Sequence, residues 1–197
     1  MLTVTGTGLA ALSTTSSIAH IAAFISVISG TMGGLPVVKM ITLFKSHFAA
    51  KEMPERQFLP SFLIVIPNIT LYAINAFRLG HYLEHQHEAK METYFMVVIV
   101  LAFAFETWYL AFGLALLKNY FKKHFLKEFY VSQWGLVCPV VAYAVLGSFM
   151  YKVFISTTAL YVLILFVTLV SIILFFTLSL KQIKCMKNKD ADKFLRA

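Results

Sequence analysis

Long apolar runs alternate along the chain with short polar and basic intervals. A bilayer core of about 30 Å takes roughly 20 apolar residues of helix. Five runs meet that length, at residues 17–44, 58–79, 93–117, 131–150 and 157–180. The last is the cleanest, since Ala159 to Leu180 carries no charge. The pattern predicts an all-α integral membrane protein with five transmembrane helices across residues 17–180 and a basic tail at 181–197. Nothing in it reads as a soluble domain, a coiled coil or a low-complexity linker. Ahead of the first run, "MLTVTGTGLAALSTT" is small, apolar, uncharged and too short to span. Residues 1–16 are therefore either a leader or the end of a preceding membrane helix. With no basic n-region they do not resemble a cleaved signal peptide.

The five runs differ in kind. The second carries Pro67 and the fourth Pro139, whereas the third and fifth have no internal proline. A proline inside a helix removes a backbone hydrogen bond and crowds the preceding turn. In hydrocarbon the freed carbonyl is tolerated only against protein or a water-filled cavity. Spans two and four are thus expected to face the interior, and spans three and five can face lipid. On span two, Ser61, Asn68, Tyr72 and Asn75 fall within about 60° of one another at 100° per residue. On span four, Ser132, Gly135, Pro139 and Ala142 form a face of mostly small residues. Such stripes serve either helix–helix packing or the lining of a pore. On span five, Thr168, Ser171 and Thr177 can return their hydroxyl bonds to their own helix.

Composition agrees with the pattern. The chain is 59% hydrophobic and only 13% charged, too little polar surface for a soluble domain of its length. A net charge of +8 would suit nucleic acid, but the basic residues sit in short clusters between apolar runs, as membrane topology requires. The ends after spans one, three and five hold thirteen Lys and Arg, against three at the other ends (Arg78, Lys90 and Lys152). The richer side is expected to be cytoplasmic, which places the C-terminus inside an inner or plasma membrane. Cys138 in an apolar run and Cys185 in the lysine-rich tail suggest neither a disulfide nor a metal framework. No cofactor is implied.

A few residues invite chemistry. Glu106, mid-span in "AFAFETWYLAF", costs about 2.5 kcal/mol or more to insert, so it is expected to be protonated, paired or turned to a cavity. It is either a proton-sensing site or a hydrogen-bonded structural carboxyl, with Asn68 or Asn75 as possible partner. His81 and His85 share a helical spacing that could hold a metal, but lie where a solvated helix end is expected, and no metal site is assigned. Lys39 can snorkel to the headgroups, Trp108 reads as packing, and Trp134 sits at interfacial depth. The basic tail suits a stop signal in contact with anionic lipid. No nucleophile–base pair, phosphate loop or carboxylate dyad is present, so no enzyme is expected.

Trp134-Gly-Leu-Val-Cys-Pro139, followed by Ala142, resembles the Trp-x-x-x-Phe-Pro signature on the ninth helix of the plant slow-type anion channel and bacterial tellurite-resistance/dicarboxylate transporter family. "LPVVKMITLF" (Leu35 to Phe44), a linker and "LPSFLIVIPNITLYAI" (Leu59 to Ile74) are similar to its sixth helix, cytoplasmic loop and seventh helix. The resemblance implies a ten-helix pore bundle of helical hairpins with proline-kinked inner helices and straight outer helices. This chain would be its C-terminal half, from the end of helix five to helix ten. It further implies passage of small anions, a homotrimer and a missing N-terminal half, and it makes the two stripes with Pro67 pore-lining. The family's gating Phe is replaced by the smaller Cys138, so the gate candidates are Cys138, Tyr143 and Phe149, or the pore lacks that gate. The expectation is an anion channel, with a proton-coupled dicarboxylate or oxyanion carrier using Glu106, or a non-transporting half-module, as alternatives.

Overall fold

The structure is a computed structural model and describes residue 7 and residues 16–49, 59–87, 92–125 and 129–187. Every regular element among them is helical. Helix α1 is Ser16–Ala49. A 3₁₀ turn, Leu59–Ile64, runs directly into α2, Val65–His87. Helix α3 is Glu92–Tyr120 and ends in a π turn, Phe121–Phe125. A second 3₁₀ turn, Val131–Leu136, leads into α4, Val137–Val153, and α5 is Thr158–Lys187. Among the described residues four segments are long and apolar enough to cross a bilayer: Leu59–Glu84, Thr93–Phe125, Val131–Val153 and Thr158–Met186. In α1 the stretch Ser17–Met32 is apolar. The ends of the five helices lie within a few residues of the expected spans, except that α2 and α5 run on by about two turns.

Burial follows the proline pattern. In the apolar windows of Leu59–Glu84 and Val131–Val153 44% of residues are buried, against 17% in Thr93–Phe125 and 11% in Thr158–Met186. Helix α5 can afford exposure because it is apolar on all sides. Thr168, Ser171 and Thr177 donate to Ile164, Thr168 and Ile173 carbonyls at 2.8, 2.7 and 2.7 Å.

Pro67 and Pro139 act at helix starts rather than at helix centres. Pro67 and Pro139 are each the third residue of an α-helix that follows a six-residue 3₁₀ turn. A proline offers no N–H to the carbonyl four residues back and crowds it. A preceding turn wound with three-residue spacing, as in the Val137 N–H bond to the Trp134 carbonyl, removes that demand. The two junctions share a pattern, Phe62-Leu-Ile-Val-Ile-Pro67 and Trp134-Gly-Leu-Val-Cys-Pro139: aromatic, two residues, valine, one residue, proline.

Contacts divide the described residues into two units. The first takes its residues from Met1–Met53 and Asn68–Ala104, the second from Pro54–Pro67 and Phe105–Ala197.

Candidate functional site

In the first unit, Ala22, Ser26, Gly30 and Gly34 recur every fourth residue along α1. Small residues at that spacing let a second helix approach closely. Ala19, Ala22 and Ala23 pack on Tyr82, with Leu79 and Leu83 alongside. The His20 Nδ1 is hydrogen-bonded to the Tyr82 hydroxyl. Farther along, the Tyr72 hydroxyl donates to the Gly30 carbonyl at 2.8 Å. A Cβ on Gly34 would stand 3.2 Å from that hydroxyl, so the glycine leaves the phenol its place. The Asn75 Oδ1 accepts from the Thr7 hydroxyl at 2.8 Å.

These residues enclose a groove of about 230 Å³ lined by Thr7, Ser26, Val27, Gly30, Thr31, Tyr72, Asn75, Ala76 and Leu79. No lining residue is charged. Its hydroxyls are also turned inward: Ser26 donates to the Ala22 carbonyl at 2.6 Å and Thr31 to the Ile28 carbonyl at 2.8 Å. The open wall is therefore neutral and chiefly apolar. Tyr72 and Asn75 were both legible as stripe residues. Ser26, Gly30 and Thr31 were not; the repeat of small residues four apart is the signal that points to Ser26 and Gly30, and Thr31 has none. Ser61 and Pro67 fall in the second unit and Asn68 in the first, all half-buried.

In the second unit the two 3₁₀ turns pack against each other. Gly135 marks the close approach: a Cβ there would lie 3.3 Å from Ile64 Cδ1 and 3.6 Å from the Pro60 carbonyl oxygen. Below it, Leu63, Ile66, Leu117, Tyr120, Phe125, Leu136, Val137 and Leu178 form the core. The Tyr109 hydroxyl donates to the Phe62 carbonyl at 2.9 Å while its ring stacks on Phe62 at 5.2 Å. Gln133, fully buried, donates from Nε2 to the Tyr120 hydroxyl at 2.7 Å. The Trp134 indole donates to Gln182 Oε1 at 3.1 Å, which ties the ring to α5.

The remaining sequence-predicted residues separate clearly. Pro139 is fully buried, while Ser132, Gly135 and Ala142 are half-buried. Of the gate candidates, Tyr143 is 5% exposed and shares a 2.9 Å hydrogen bond with Thr107. Phe149 is half-buried, and Cys138 is exposed beside Val141 and Val145 on one face of α4. Glu106 is fully buried midway along Thr93–Phe125. Asn75, expected as one possible partner for it, is bonded to Thr7. His81 packs edge-on to Phe77 and lies 3.6 Å from Glu84, and the side chains of His85 and His87 lie outside the described residues, as do residues 1–6 and 8–15. Trp108 is 61% exposed and stacks on Phe112.

A chain with four bilayer-length apolar helices is that of a multi-pass helical membrane protein. It matches no protein-family model, no curated protein and no solved structure.

Proposed function

We propose that the chain is the pore-forming part of an anion-selective membrane transport protein. The observation that carries this reading is the alternation of burial: the segments with Pro67 and Pro139 are the buried ones and the two without proline the exposed ones. That is the arrangement expected where kinked helices border a path and straight ones shield it from lipid. The resemblance of the Trp134 to Pro139 motif to the slow-type anion channel and tellurite-resistance family supports the same reading. The uncharged groove beside Tyr72 and Asn75 suits conduction, because a site that holds an ion weakly lets it leave, and an apolar constriction can gate by dewetting. In this reading a trimer and five further helices from an N-terminal partner complete the assembly.

The test is anion flux from proteoliposomes in a Cys185→Ser background, alone and with an N-terminal half supplied. A charged, membrane-impermeant thiol reagent is expected to reach Cys138 and to alter the flux. No anion flux under either condition refutes the reading. The fully buried Glu106 favours a second reading, a proton-coupled carrier of dicarboxylate or other oxyanions. There, Glu106→Gln abolishes uptake driven by a pH gradient, whereas a passive channel keeps its current.

A further inference from the structure

We propose that the π turn and the last turns of α5 form a binding site for a phosphate-bearing lipid headgroup, with the lipid's acyl chains along the exposed face of α5. The inference does not depend on the transport reading. Lys181 is not part of the solvated cluster: its ammonium turns inward, donates to the Phe125 carbonyl and lies 4.6 Å over the Phe125 ring. That contact fastens the π turn to α5 at a fixed height. A π turn has a looser hydrogen-bond ladder than an α-helix and recurs at functional sites; here it leaves the Phe125 carbonyl bonded to a cation from another helix.

Lysines flank that contact on both helices. Lys118 and Lys122 are four residues apart, Lys123 follows, and all three are exposed. Lys184, also exposed, is three residues beyond Lys181 on α5 and so lies on a neighbouring part of the same helical face. No ion pair involves any of the four among the described residues. The only carboxylate described in this unit is Glu106, which at 1.5 Å per residue sits about 18 Å along α3 from Lys118. The cluster therefore lacks a counter-charge from the described protein.

An apolar stripe on α5 identifies the ligand as a lipid rather than a soluble anion. Phe176, Leu180 and Ile183 are 61%, 67% and 52% exposed, and their spacing of four and three residues puts them on one face. That face leads to Lys184. A phosphate on the lysines would thus have hydrocarbon surface directly beneath it, where acyl chains belong. Basic groups at the boundary between headgroups and hydrocarbon recognise anionic lipid in this way.

The experiment uses the purified full chain in detergent, titrated with a phosphatidylinositol bisphosphate and read by native mass spectrometry, with phosphatidylcholine as the neutral comparison. Each lysine near the surface contributes about fivefold to anionic-lipid binding, so Lys122→Gln, Lys123→Gln and Lys184→Gln together should weaken it about a hundredfold. The same three positions changed to Arg should retain binding, which separates lost charge from lost folding. Lys189→Gln, Lys193→Gln and Arg196→Gln in the tail should change it by less than about threefold if the site is the built one. Undiminished binding by the Gln triple variant, an equal loss in the tail variant, or displacement by free inositol trisphosphate as effective as by the intact lipid overturns the proposal.

Discussion

Gly80 offers the sharpest test of how α2 and α3 meet in the first unit. An ideal Cβ built on it would stand 2.1, 2.3 and 2.6 Å from Cε2, Cδ2 and Cζ of Phe95. Ordinary carbon–carbon contact begins at about 3.5 Å, so Gly80→Ala requires the ring to retreat by about 1.4 Å. Three ring atoms crowd the site at once, so rotation of one methyl does not relieve it, and Phe95 is only 8% exposed. Overpacking of this sort costs about 1–3 kcal/mol. Alanine recovers up to about 1 kcal/mol of helix propensity, since Gly80 sits in regular helix. The middle of that range, about 2 kcal/mol, less the full recovery leaves a loss of about 1 kcal/mol, or about 2–4 °C in apparent Tm for a chain of this size. Size-exclusion recovery after heating in detergent measures it. Phe95→Leu should relieve the crowding, so the double variant should be more stable than the sum of the two single losses by about 1 kcal/mol. An apparent Tm for Gly80→Ala at or above that of the parent chain, or strictly additive losses, would refute the packing argument.

Three further outcomes are expected. Tyr109→Phe keeps the stack on Phe62 but deletes the 2.9 Å bond to its carbonyl, and should lower stability by about 1 kcal/mol in the same thermal assay. Gly135→Ala should be tolerated, because its nearest neighbour is the movable end of Ile64 at 3.3 Å, whereas Gly135→Leu should prevent recovery of folded protein, since a larger side chain has no room where the two 3₁₀ turns pack. Tyr72→Phe leaves the Gly30 carbonyl without its 2.8 Å donor; a loss of about 1 kcal/mol is expected by heating, together with a changed anion flux if the groove borders the path.

Much of the fold was readable from the chain because it depends on averages over many residues. The long apolar runs place the helices, and two prolines single out the helices that become buried. What was not readable depends on local balances. Pro67 and Pro139 sit near the centres of their apolar runs, yet each helix resolves the proline by winding the turn before it as 3₁₀. The paired motif, Phe62 to Pro67 and Trp134 to Pro139, is visible in hindsight as one six-residue pattern used twice. Lys181 opens the basic tail that the sequence reads as a stop signal against anionic lipid, yet the Phe125 carbonyl at the π turn gives its ammonium an internal partner. The polar stripe on α2 was legible; the use to which Tyr72 is put was not, because it depends on a glycine carbonyl forty-two residues earlier.

The absence of a side chain at Gly135 has one last consequence. Where Gly135 meets the first turn, the Ile64 side chain fills the space a Cβ would need, with the Pro60 carbonyl just behind it. The joint is thus a knob from one turn seated in a notch of the other, and the notch exists only because position 135 is bare.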